Sequence, residues 1–326
     1  MMRFKIKNIC ACLLGMCFLF LAGKTVMAEG DKTYIDSSEI TPAHVYIEVQ
    51  RVEQFIDKLG LFMGIQEPDP FGVNITNAAP YDVYSQARIL LIKANRLSFE
   101  LIRKHRDSPV FPKDIIRPAE VKAMVVEVLA IISEVCQELH LSAVYPDIEF
   151  DQATTPSDVY MATMKANRHL NTLLERRFAP DEVYKVVNLA IGYAANMLAQ
   201  YPGAERIPKK LLYEKNKKPI DVYCRLHNCL LQIIKIYQVD GFDILEIDIS
   251  DIQEKNISPS DVFDMASLIV ARLDYLHKKN NISRQPRETY FPGRKFPSDV
   301  YQQAGILEQQ LSNLLSYVEK KEHRDR

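Results

Sequence analysis

Eight times along 326 residues, a proline is followed two positions later by an acid or histidine, then by valine, and then usually by an aromatic residue. The copies read PAHVY at Pro42, PYDVY at Pro80, PAEVK at Pro118 and PSDVY at Pro156, then PDEVY at Pro180, PIDVY at Pro219, PSDVF at Pro259 and PSDVY at Pro297. Each is a helix start. Proline suits the first helical position, where its missing N–H would have no partner anyway and its fixed φ is already helical. The acid two residues on faces the positive end of the helix dipole. Thr41, Thr155 and Ser258 stand at N-cap positions and complete capping-box arrangements. The other nine of the 17 prolines fall between the helices this pattern defines.

Counting from each cassette valine, apolar residues recur at +4, +7, +11 and +14. The first helix supplies Val45, Val49, Val52, Ile56 and Leu59, and the sixth Val222, Leu226, Cys229, Ile233 and Ile236. Thr163 is the one polar residue in these positions across all eight helices. A 4-3-4-3 spacing is a heptad seam, the pattern of helices packed roughly 20° from parallel or antiparallel. Strands would need period two. The fold class is all-α.

Successive cassettes lie 38 to 40 residues apart, except for Pro156 to Pro180, which are 24 apart. That short step divides the helices into four and four, and copies one to four map onto five to eight with offsets of 138 to 141 residues. The expected organisation is a tandem duplication of a four-helix unit, over residues 29–178 and 179–326. Most connections run 12 to 20 residues, whereas antiparallel bundle neighbours usually need two to eight. Sixteen extended residues reach about 53 Å, more than the roughly 33 Å of a 22-residue helix. The connections can therefore run back along a bundle and make its helices parallel, or they can cap its ends. A helical-repeat solenoid is the architectural alternative. The three-residue link Arg177–Ala179 makes the fourth and fifth helices an antiparallel pair or sets them end to end, with a crevice at the junction as the expected binding site.

Residues 1–28 read as an export signal. A basic start (Arg3, Lys5, Lys7) precedes an apolar run from Ile9 to Gly23, and Val26-Met27-Ala28 offers a cleavage triplet. Fifteen apolar residues are fewer than the roughly 20 that span a bilayer, so the reading is cleavage after Ala28, no transmembrane segment afterwards, and a periplasmic location. Losing these residues removes four positive charges and takes the net charge from −1 to −5. A mildly acidic chain disfavours nucleic acid as a partner. Cys136, Cys224 and Cys229 remain after cleavage, too few for a disulfide scaffold.

Known chemical signatures are scarce. There is no Walker A, G-x-S-x-G or G-x-G-x-x-G motif, and no pair of Glu-x-x-His helices for a dimetal site. Cys224, His227 and Cys229 resemble a metal cluster in spacing, but Cys229 belongs to the seam and reads as core. The acidic stretch Asp240–Asp251 lacks EF-hand spacing. Its alternation of Leu245, Ile247 and Ile249 with Glu246, Asp248 and Ser250 suggests a short strand with one solvated face. Lys209, Lys210, Lys215, Lys217 and Lys218 read as solvated surface. No catalytic residue, metal or cofactor is assigned.

The recurrent aromatics are the candidate ligand-binding set: Tyr84, Tyr160, Tyr184, Tyr223 and Tyr301, beside Tyr46 and Phe263, with Lys122 in the eighth place. Each ring can simply pack on a neighbouring helix with its hydroxyl at the rim, or several can converge around a ligand. The expected function is an exported, non-enzymatic binding protein for a protein partner or small ligand. The alternative is an enzyme with its site in the long connections.

Overall fold

The computed structural model describes residues 39–68, 72–107, 116–142, 144, 147–175, 177–209, 211–239, 241–242, 244–252 and 257–325, the last four without side chains. The signal reading at 1–28 lies outside them. The eight expected helices form: α1 (Pro42–Met63), α2 (Pro80–Ile102), α3 (Pro118–Glu138), α4 (Pro156–Leu173), α5 (Pro180–Leu198), α6 (Pro219–Val239), α7 (Pro259–Lys279) and α8 (Pro297–Asp325). Every one begins at its cassette proline. The third cassette residue turns back to accept the N-cap amide in seven helices: Asp82 from Ala79 (2.8 Å), Glu120 from Arg117 (2.8 Å), Asp158 from Thr155 (2.8 Å), Glu182 from Ala179 (3.0 Å), Asp221 from Lys218 (2.7 Å), Asp261 from Ser258 (2.7 Å) and Asp299 from Phe296 (2.8 Å). In α1 the Nδ1 of His44 does the same for Thr41, at 3.2 Å. The recurring acid is thus a cap as well as a dipole partner.

The seam residues are the core. All five in each helix are at most 4% exposed where apolar, and Thr163 is fully buried with its hydroxyl donating to the Val159 carbonyl at 2.7 Å. In one set α1 and α2 each pack against both α3 and α4, giving the cyclic order α1–α3–α2–α4. In the other, α5 and α6 each pack against α7 and α8, in the equivalent order α5–α7–α6–α8. Pro42, Pro80, Pro118 and Pro156 close around one shallow depression with their valines, and Pro180, Pro219, Pro259 and Pro297 close around another. All four helix starts of each set therefore share one end. The helices within a set are parallel.

Parallel helices require every connection to return the full length of the bundle, which explains the 38-residue period. Between α5 and α6 the return is traced by two glutamines of α8: Gln310 donates to the Arg206 carbonyl and Gln302, nearer the helix start, to that of Leu211, both at 2.6 Å. The α7–α8 connection descends along α5, where Asn196 donates to the Arg284 carbonyl (2.8 Å) and Lys295 lies over the Tyr184 ring. On α1, Lys58 donates to the carbonyls of Ser142 and Val144, and the His44 ring meets Phe150 further down.

The two sets lie side by side through α2 and α7 with a smaller share from α4, and the eight helices form one compact unit with a continuous apolar core. The α4–α5 link does reverse the chain, but α7, rather than α5, is the helix that α4 and α2 pack against. A two-stranded antiparallel ladder joins the sets: β1 (Asn74–Thr76) pairs with β2 (Glu246–Asp248), Ile75 facing Ile247. The strand expected around Ile247 is therefore present, with Leu245 and Ile247 buried and Glu246 and Asp248 exposed.

Candidate functional site

The structure separates most of the recurrent aromatics. Tyr184 is half-buried beneath Lys295, and Tyr301 is half-buried between Lys217 and Arg225, 4.2 and 4.1 Å from its ring centre. Tyr84 is buried, with Arg88 and Glu120 nearby. Tyr160 and Tyr223 do approach one another at the boundary between the sets, each at most 3% exposed. Burial raises both phenols well above their ordinary values, so they act as neutral hydrogen-bonding groups.

Around that pair runs a buried polar network. Gln86 donates to the Tyr160 hydroxyl at 2.8 Å and accepts from Asn167 at 3.1 Å. Lys93 of α2, fully buried, donates to the Asn167 carbonyl (3.2 Å) and pairs with Asp264 of α7 at 2.9 Å. Asp82 of α2, also fully buried, pairs with Arg272 of α7, whose guanidinium lies near the rings of Tyr81 and Tyr237. Arg168 of α4 meets Asp261 of α7 at 3.2 Å, and Arg96 of α2 meets Glu182 of α5 at 2.7 Å. Burial pushes the Asp264 carboxyl up to about 6 against the opposing pull of Lys93, and it raises Asp82 in the same way. Four cations thus cross one boundary to four carboxylates. Of these eight residues, sequence singles out only Asp82, Glu182 and Asp261, and those as helix-start acids rather than as ion-pair partners. The available signal was that Lys93 and Arg272 both stand ten residues after their cassette valine, on the flank of an otherwise apolar seam.

Over this network lies a crevice of roughly 330 Å³ at the α4–α5 junction, between the end of α4 and the start of α7. Arg168, Asn171 and Thr172 form one wall, Arg177 and Phe178 the link, and Ile257 to Asp261 the other wall. Phe178 is buried against Phe263, with ring centres 4.3 Å apart, and carries the Arg96 guanidinium at 4.0 Å. Pro68 and Arg168 connect the crevice to a wider groove along α1 and α4, lined by Tyr46, Glu53, Met161 and Lys165. The expected junction crevice is there. Of the aromatic residues recurring after the valines, only Tyr46 reaches this joined surface among the lining residues.

The other sequence candidates have ordinary partners. His227 Nε2 donates to the Ile247 carbonyl at 2.7 Å, which fastens β2 to α6, and Cys229 is buried with its thiol toward the Ala304 carbonyl. Beyond those candidates, Asp274 of α7 accepts from Tyr193 at 3.0 Å and pairs with Lys278 at 2.7 Å. Among the described residues no three His, Cys, Asp or Glu gather as metal ligands, and no helix is long and apolar enough to cross a membrane. No family model, curated protein or solved structure matches the chain.

Proposed function

We propose that the chain is an exported, non-enzymatic binding protein, released after Ala28 into the periplasm, that takes its ligand or partner in the crevice at the α4–α5 junction. The observation that carries this reading is the position of the crevice. It opens between α4 of one helical set and the start of α7 of the other, so one occupant touches both. Pockets concentrate at such boundaries. Among the described residues, the walls hold no nucleophile beside a free base: Asp261, the one carboxylate among them, is engaged by Arg168 and by its own N-cap. That favours recognition over catalysis. The two four-helix sets are read as copies of one ancestral unit, on the strength of matching cassette offsets and matching packing order.

Hydrogen exchange on the processed protein, with and without concentrated periplasmic extract, tests the reading. Protection is expected at 168–178 and 257–263, and Thr172→Trp, which fills the crevice from its half-buried wall position, should abolish it. Protection confined to other faces, or unaffected by that substitution, sinks the proposal.

A further inference from the structure

We infer that the crevice is an oxyanion site, taking the carboxylate or phosphate group of a small molecule; this rests on the crevice being the binding site. Among the described residues, two guanidinium groups, Arg168 and Arg177, line it against the single carboxylate of Asp261. That carboxylate is already committed. One oxygen accepts from the backbone and hydroxyl of Ser258, both at 2.7 Å, and the other faces Arg168 Nε at 3.2 Å. The start of α7 adds its positive dipole end to the same wall.

A helix start and two arginines would not suffice without a reason for an occupant. Two side chains in the crevice walls supply it. Ser260, 3% exposed, and Asn171, 7% exposed, both line the crevice, and Ser260 Oγ and Asn171 Oδ1 have no hydrogen-bond partner among the described residues. Buried polar atoms are nearly always paired, because an orphan forfeits its hydration with nothing in return. A hydroxyl beside a helix start and guanidinium groups is a donor for an oxyanion. The Asn171 carbonyl oxygen is an acceptor, so the ligand also carries an O–H or N–H donor next to its anionic group. Arg177, exposed on the link between α4 and α5, is placed to draw the anion in.

Titration calorimetry and thermal melts of the processed full chain, at fixed ionic strength in chloride, test the assignment with inorganic phosphate, succinate and malate as probes. Saturable binding is expected for phosphate or for the dicarboxylates, and whichever arm binds identifies the group. Malate, which adds a hydroxyl donor, should bind tighter than succinate if the carboxylate arm is the active one. Arg177→Gln and Ser260→Ala should each weaken binding about tenfold, as for loss of one charge-assisted hydrogen bond. Ser260→Ala should also melt at or above the wild-type temperature without ligand, since it removes an unpaired hydroxyl; that separates a lost contact from a damaged fold. Absence of binding by all three probes overturns the oxyanion assignment and leaves crevice docking to its own exchange experiment. Binding unchanged in both variants overturns it as well.

Discussion

Lys93 and Arg272 hold the same register position on two antiparallel helices, ten residues after Val83 and Val262, and each reaches a carboxylate of the opposite helical set. Lys93 meets Asp264 near the start of α7, and Arg272 meets Asp82 near the start of α2. The boundary between the sets is therefore a reciprocal ionic clasp, quite unlike the apolar seams within each set. Buried pairs gain less than their Coulomb attraction suggests, because both ions lose their hydration. Their effect is to fix register: sliding α2 by one turn along α7 would strand four charges.

Breaking one pair should cost far more than deleting it. Lys93→Met leaves Asp264 buried without a counter-ion and should destabilise by about 3–5 kcal/mol. The double variant Lys93→Met with Asp264→Leu should recover most of that loss, because neither charge remains to be desolvated. Urea unfolding of the two variants and wild type measures both. A double variant no more stable than Lys93→Met would refute this account of the boundary.

The same carboxylate sets a pH dependence. Asp264 stands at about 6 in the folded chain against 3.8 ordinarily, so between these values the folded state binds the proton more readily than the unfolded one. Its contribution to stability is present in full below about 3.8 and fades as pH rises through 6. Wild type should therefore gain on Asp264→Asn as pH falls from 7 to 5. Melts of both proteins at the two pH values check the sign, and a gap that narrows on acidification contradicts it.

Helix starts and seams were legible because each depends on residue type at short range: proline at the first position, a capping acid at the third, apolar side chains every three or four. Helix direction was not. A heptad seam reads the same whether its neighbour runs with it or against it, and only the convergence of Pro42, Pro80, Pro118 and Pro156 settles the matter. The returning connections are held largely through backbone carbonyls, such as those of Arg206 and Leu211, and a carbonyl leaves no mark in the sequence. Ile247 announced its strand by alternation. Its partner Asn74-Ile75-Thr76 is equally short, and nothing local announces the pairing, because Ile75 lies 172 residues before Ile247. The crevice was anticipated from the short α4–α5 link. Its walls were not, since Ser260 and Asp261 reach it only through the packing of α7 against α2 and α4.

Close passage of the connections over the helices predicts two different outcomes for helical glycines. A methyl on Gly192 would meet Pro286 Cβ at 2.7 Å, a stiff ring on the α7–α8 connection. Gly192→Ala should therefore destabilise by about 1–2 kcal/mol, the overpacking cost exceeding the roughly 1 kcal/mol gain in helix propensity. At Gly305 the obstacles are the ends of Leu211 and Arg225, which can swing aside. Gly305→Ala should be close to neutral. Equal losses in denaturant melts would refute the distinction.

Thiol reactivity follows burial. Cys136 and Cys229 are fully buried, and burial raises both thiols, Cys136 to about 11. Cys224 is half-buried at the flank of α6. Labelling of the native chain should modify Cys224 first, with the other two reacting only after denaturation. Rapid native labelling of Cys229 would show that the α6–α8 seam opens.

The final expectation is that residues 29–178 and 179–326 each fold alone. Within a set, every helix contacts two others of the same set through a complete apolar seam, so each half carries its own core. What the halves share is the ionic clasp together with a set of aromatic contacts around it. Lys93, Arg168, Asp82 and Asp264 would become hydrated on separation, which offsets much of the lost pairing, because the cost of burying those charges disappears with it. The apolar losses include Phe178 leaving Phe263, Tyr81 leaving Tyr275, Tyr160 leaving Tyr223 and Ile75 leaving Ile247. Moving the cut to place Phe178 with the second half should therefore improve that half. Circular dichroism and thermal melts of the separate halves decide the question. Cooperative melting of each half is the expected result; two unfolded halves that regain helicity only on mixing would mean that the clasp between Lys93 and Asp264 belongs to the folding core itself.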